Sequence, residues 1–316
     1  MRLACLGSGL LPAYRNFWPI RAGRSAALVA GLTLLSGARA FAEQLPVQPP
    51  GDGRPAPGEM GLQMSNSPIA DEVHAFHNGI LLPITILICL FVLALLIYVV
   101  YRFNEKANPQ PSRTTHNTLL EVAWTVIPVL ILVFIAVPSF RLLTNQLVIP
   151  KPDVTIKVTG NQWYWSYSYP KDQGGFSFDS LIIPDDQINP AKGQIRLLSV
   201  DNAAVVPVGK IIHVQVTSSD VIHSFTVPAF GIRIDAVPGR LNETWFKAER
   251  VGVYYGQCSK LCGKDHAFMP IEFHVVSQQA YDKWLAQAKK QFAAAPSRDQ
   301  FAQIQDARKL NTPDAH

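Results

Sequence analysis

Residues Ile80–Tyr101 read ILLPITILICLFVLALLIYVVY, and Val122–Phe140 read VAWTVIPVLILVFIAVPSF. The runs are 22 and 19 residues long and carry no charge. A helix needs about 20 apolar residues to cross the hydrocarbon of a bilayer. Two buried helices of a soluble protein are the competing reading, but uncharged runs of this length are rare there. Pro83 is expected in the first turn of one helix, where its missing N–H costs little. Pro128 and Pro138 are expected to kink the other or mark its end. Between the runs, Arg102, Lys106 and Arg113 stand against Glu105 and Glu121. The positive-inside rule places that connection in the cytoplasm and both outer ends on the opposite side.

The chain upstream agrees with export. Residues 1–42 contain five arginines and no acid, a short apolar run from Ala26 to Leu35, and small residues at Ala38, Ala40 and Ala42. That pattern is a cleavable signal peptide, cut after Ala40 or Ala42. The net charge of +5 therefore sits in the signal, since the rest has 23 basic and 23 acidic residues. A neutral chain that is 48% hydrophobic and 16% charged is neither disordered nor a nucleic-acid binder. Residues 43–66 are rich in Pro and Gly and read as an extended arm.

Downstream of the second run the period changes. Val154–Val158, Ile195–Val200, Ile211–Val216 and Ile271–Val275 are β-branched stretches separated by Gly, Pro, Asn and Asp. They predict an antiparallel sandwich or barrel. Tyr281, Trp284, Leu285 and Ala288 return to helical spacing. The expected order is a signal (1–42), an N-terminal arm (43–79), a two-helix transmembrane hairpin (80–142), an all-β domain (143–277) and a C-terminal helix with a polar tail (278–316).

The chemistry concentrates between residues 254 and 270, YYGQCSKLCGKDHAFMP. Cys258, Cys262, His266 and Met269 follow the spacing C-x3-C-x3-H-x2-M, and His223 lies upstream at the end of a strand-like stretch. Two thiolates, two imidazoles and a thioether are a soft set that favours copper, and a Met ligand is typical of electron-transfer copper. A disulfide and structural zinc are the alternatives. An exported cysteine pair is commonly a disulfide, whereas structural zinc takes four Cys or His ligands and no Met. His213 and His274 are read as satisfied strand histidines. His74, His77 and His116 lack metal spacing.

The segments GQCSKLCGKDHAFMP, DVIHSF (220–225) and GNQWYWSYSYP (160–170), together with the hairpin, make the chain resemble subunit II of haem–copper cytochrome c oxidases over residues 67–285. The resemblance implies a cupredoxin-like barrel on the periplasmic side of a bacterial inner membrane, holding a dinuclear copper A centre. Its ligands would be His223, Cys258, Cys262, His266, Met269 and the backbone carbonyl of Lys260, with both cysteines bridging. The family usually has Glu at position 260, whose side chain helps bind a magnesium at the subunit I interface. An ammonium group has no lone pair to offer, so magnesium ligation from this subunit stays open. Trp163 would be the entry point for electrons from cytochrome c. Acids around it would attract that partner, with Asp172, Asp179, Asp185, Asp186 and Asp220 as candidates. Ser168 and Lys171 weaken the acidic pattern. Glu121 would stand at the mouth of a proton pathway of subunit I, and the stretch Arg233–Asn242 would face that subunit. Haems and copper B would belong to subunit I, and subunit III would complete the partners. A membrane-tethered copper-delivery protein of thioredoxin type is the rival reading. Two spans, β patterning and the trailing His and Met oppose it.

Overall fold

A computed structural model describes residues 53–292. The expected signal peptide and most of the polar tail lie outside the described residues, as does the start of the arm. From Gly53 to Asn66 the chain has no regular structure, as the Pro and Gly content predicts.

Helix begins earlier than the apolar run. Ser67 caps helix α1 (Pro68–Phe76), its hydroxyl accepting from the Ala70 amide. A single π-helical turn, His77–Leu81, leads into α2 (Leu82–Arg102). The expected arm of residues 43–79 is therefore helical from residue 68. Pro83 is in the first turn of α2 as expected, although α1 and the π turn lead into that helix without a break. The π turn just upstream, where the Leu82 amide bonds the His77 carbonyl, shifts the hydrogen-bond ladder where proline interrupts it. Helix α3 (Thr118–Leu147) carries Pro128 and Pro138 inside it and ends at neither. None of the residues of α2 or α3 is buried, so their apolar side chains face outward all round.

The remainder is a β-sandwich of two five-stranded sheets. One runs β3 (Phe176–Ser180), β2 (Tyr164–Tyr169), β1 (Val154–Asn161), β5 (Ile211–Ser218), β8 (Asn242–Lys247). The other runs β4 (Ala204–Pro207), β10 (Pro270–Val276), β9 (Gly252–Cys258), β6 (His223–Val227), β7 (Ile232–Ala236). The expectation of purely antiparallel sheets is corrected at two places. β1 pairs β5, and β4 pairs β10, in parallel, because the chain crosses between sheets before returning. The expected strand at Ile195–Val200 is also absent. Its polar groups close on themselves: the Ile195 carbonyl accepts the Leu198 and Ser199 amides, and the Ile195 amide bonds the Ser199 hydroxyl. Only Val200 makes a bridge, to Ile182.

Inward positions of both sheets form one aromatic core. Phe273 meets Tyr167, Phe225, Phe230 and Phe246 edge-on. Edge-to-face pairs of this kind add to the burial energy of the rings. Helix α4 (Gln278–Phe292) closes one flank, burying Tyr281 and Ala288 and setting Trp284 against Tyr169 and Phe176.

The helices and the sandwich share a polar joint. Buried Asn66 bonds the backbone of Ala229, Glu249 and Arg250, and the Ser67 hydroxyl donates to the Phe230 carbonyl. Gly231 lies so close that an added Cβ would meet Ala70 at 2.8 Å. On α3, Asn145 donates to Glu72 and accepts from the Trp245 indole.

Candidate metal centre

β9 ends at Cys258 and β10 starts at Pro270, so the loop between two neighbouring strands carries Cys262, His266 and Met269. β6 opens with His223 and pairs β9 through Phe225 and Cys258. The strand register thereby delivers His223 to the first cysteine. Both cysteines are unpaired thiols and both are buried. Their sulfurs lie 3.9 Å apart. His223 Nδ1 is 4.0 Å from Cys258 Sγ. His266 Nδ1 and Met269 Sδ are each 3.5 Å from Cys262 Sγ. The Lys260 carbonyl is 3.2 Å from Cys258 Sγ, while its side chain points to solvent. The structure thus brings together all six donors expected from sequence. His223, Cys258 and Cys262 form the one group of His, Cys, Asp or Glu among the described residues that could hold a metal.

These donors fit copper. Thiols, imidazoles and a thioether are soft. The six donors, two of them the cysteine sulfurs, exceed what one four-coordinate ion takes.

Residues behind the donors hold them in place. The Asp220 carboxylate accepts His223 Nε2–H at 2.8 Å, which leaves the Nδ1 lone pair facing the sulfurs. This is the carboxylate–imidazole arrangement that orients metal-binding histidines. The other Asp220 oxygen accepts the Gln162 amide. Burial would raise the Asp220 pKa, but the bonds from His223 and from the Val221 and Gln162 amides lower it overall. Burial would lower the His223 pKa, but Cys258 and Asp220 raise it. The thiols diverge. Burial acts to raise both; bonds from His223 and the Ser224 amide nevertheless pull Cys258 below the ordinary thiol range. Cys262 is pushed up by burial and by the charge of Cys258.

The Trp165 indole donates to the Met269 carbonyl at 3.1 Å and stands edge-on to His223. Gly160 leaves room for that imidazole, since a Cβ there would meet His223 Cδ2 at 2.9 Å. Trp165 and Gly160 were not singled out from sequence. Both lie in the quoted segment GNQWYWSYSYP, but nothing in it marked either as a neighbour of the donors. Asp220, expected as a docking acid, is exposed and also bonds His223 through one carboxylate oxygen.

The remaining candidates are distributed as follows. Trp163 is half-buried beside the loop and donates from its indole to the Cys262 carbonyl at 3.3 Å. Gln162 donates to the same carbonyl at 2.8 Å. Asp179 accepts the Ser166 hydroxyl, and Asp185 pairs with Arg196. Asp172, Asp186, Arg233 and Arg240 are exposed. Glu121 lies in the first turn of α3, far from the donors along the chain, and accepts the Asn117 amide in a cap. His274 is bonded to Glu272, and His213 approaches Glu243 at 3.5 Å.

Comparison with known proteins gives consistent matches. The family model described as cytochrome c oxidase subunit II, periplasmic domain, matches residues 154–276, and the one described as its transmembrane domain matches 55–142. The probable cytochrome c oxidase subunit 2 of Rickettsia bellii is 52% identical over 236 residues, covering 75% of this chain and 86% of that one. Cytochrome c oxidase subunit 2 of Cereibacter sphaeroides is 48% identical over 276 residues, covering 82% and 89%. Among solved structures, the periplasmic domain of subunit II of cytochrome oxidase of Bradyrhizobium japonicum is 61% identical, covering 46% of this chain and 99% of that one, with a TM-score of 0.42.

Proposed function

Because this chain belongs to the cytochrome c oxidase subunit II family, we propose that it is the electron-entry subunit of that enzyme, taking electrons from cytochrome c and passing them by a dinuclear copper A centre to haem a of subunit I. Its place as a membrane subunit of a haem–copper oxidase follows from the family; the route is the proposal. The observation that carries it is the six-donor cluster at the end of β9, the start of β6 and the loop before β10. Bound there by His223, Cys258, Cys262, His266, Met269 and the Lys260 carbonyl, a copper pair would supply a one-electron carrier whose charge is shared over two ions.

The chain's own residues do the rest. Asp220 sets the tautomer of His223. Trp165 anchors the Met269 backbone. Trp163 links the surface to the Cys262 carbonyl through one hydrogen bond, a short path from a docked donor to a sulfur ligand. Copper B and the haems belong to subunit I, where oxygen is reduced and protons are pumped. Subunit III and the membrane are the other partners. The hairpin crosses the bacterial inner membrane with the β domain on the periplasmic side. Lys260 places an ammonium where a magnesium ligand would be needed, so this reading assigns the chain no side-chain ligand to that ion. Glu121 contributes to a proton entrance only if subunit I draws it out of its helix cap.

Copper content and near-infrared absorption of the purified oxidase test the proposal. Two coppers in this subunit with a mixed-valence band are expected. A single copper with a Cys258–Cys262 disulfide would overturn it. Trp163→Phe should slow electron entry from cytochrome c and leave copper loading intact.

A further inference from the structure

The two cysteines are held in different ways. Cys258 closes β9 and pairs with Phe225 of β6, and the Ser259 amide after it bonds the Ser224 carbonyl. Cys262 lies outside the strands, in the loop before β10. Its main chain is fastened by the tip of another hairpin. β1 and β2 pair as far as Asn161 and Tyr164, so Gln162 and Trp163 form a two-residue turn carried on a strand ladder. Both donate to the Cys262 carbonyl, Gln162 from its side-chain amide at 2.8 Å and Trp163 from its indole at 3.3 Å. A carbonyl oxygen has two lone pairs and takes both bonds.

The next residue is shaped for this contact. Gly263 has a φ of +131°, and an added Cβ would meet Trp163 Cζ2 at 2.8 Å and Gln162 Nε2 at 3.2 Å. Gln162 also reaches the other side of the donor set. Its main-chain N–H donates to Asp220 Oδ2 at 2.6 Å, and Asp220 Oδ1 accepts from His223 Nε2 at 2.8 Å. His223, Asp220, Gln162 and Cys262 are thus joined in a continuous line of hydrogen bonds. One residue connects a donor on β6 with a donor on the loop. Partners behind the donors orient them and tune the metal they hold.

We propose that Gln162 is a positioning residue of the metal centre. Its side-chain amide fixes the Cys262 main chain relative to His223, so that the loop cysteine is presented in one place before and after metal binds. This rests on the copper reading of the donors and adds to it a residue outside the donor set.

The test uses the purified oxidase complex with Gln162→Met, which keeps the length of the side chain and removes its donor. Gln162 is exposed, so the exchange leaves the core untouched. In the copper-loaded variant the mixed-valence near-infrared band should shift, and a chelator should strip the copper roughly three- to tenfold faster, as one lost hydrogen bond predicts. The band decides, because a change in fold stability alone does not move it. An unshifted band would overturn the proposal whatever the release rate. The full chain prepared without metal gives a second reading. There the buried Cys262 thiol should be alkylated roughly three- to tenfold faster in Gln162→Met, with Cys258 unchanged. Equal Cys262 rates in variant and unmutated chain would likewise overturn it. Failure of the copper reading shows elsewhere: the unmutated complex would then lack the band, and the thiol rates would still judge Gln162.

Discussion

The hairpin and the sandwich are built from the same apolar residue types and use them in opposite ways. In α2 and α3 the Leu, Ile, Val and Phe side chains face outward, and none is buried. In the sandwich, β1 and β5 alternate strictly enough to send Ile156, Val158, Ile212, Val214 and Val216 inward. The difference shows where each region gets its stability. The sandwich supplies its own apolar environment. The hairpin satisfies its backbone internally, as a helix must in lipid, but leaves its side chains to a bilayer and to neighbouring subunits.

The contrast can be broken by substitution. The largest effect is expected at Phe273→Ala. Removing a ring that touches four others should cost the β domain about 3–5 kcal/mol, read as a lowered denaturant midpoint. Leu132→Ala on the outer face of α3 should leave that midpoint where it is. Equal losses would mean that the hairpin side chains pack on the domain. Next, Leu93→Arg near the middle of α2 should oppose insertion by about 2.5–3.5 kcal/mol while the domain still folds, which a membrane-insertion assay of the full chain would show. Normal insertion would argue that α2 does not span.

A smaller effect sharpens the comparison inside the sandwich. Asp220→Asn should leave the fold intact and weaken copper binding by about 10- to 100-fold, because the His223 tautomer is no longer set. Competition with a chelator measures it, and unchanged affinity would reduce Asp220 to a turn residue. The smallest change is expected at Pro128→Ala, where a helix already tolerates the proline. A gain of no more than about 1 kcal/mol in hairpin stability is expected, since neighbouring groups in membranes commonly re-satisfy the backbone that proline frees.

Much of the site was legible because its chemistry is local. Three of the side-chain donors besides Cys258 lie within 11 residues of it on one loop, and ligand spacing is a sequence property. His223 was found through its motif. Its partner Asp220 was seen only as a surface acid, because the bond it makes to His223 depends on the fold of its turn. Ile195–Val200 failed for a related reason. Its pattern suited a strand, but a nearby serine hydroxyl and local carbonyls satisfied its amides first.

Composition, periodicity and ligand spacing were enough to establish two spans, a β domain and a soft-metal loop. Each rests on neighbours along the chain, where covalent spacing already dictates geometry. Only the tertiary structure decided what stands behind and above that loop: Asp220 and Gly160 beside His223, Trp165 under Met269, and Lys264 over Trp163. Those contacts join strands from different sheets or opposite sides of a turn. No periodicity records them, because they exist only once the two sheets have packed.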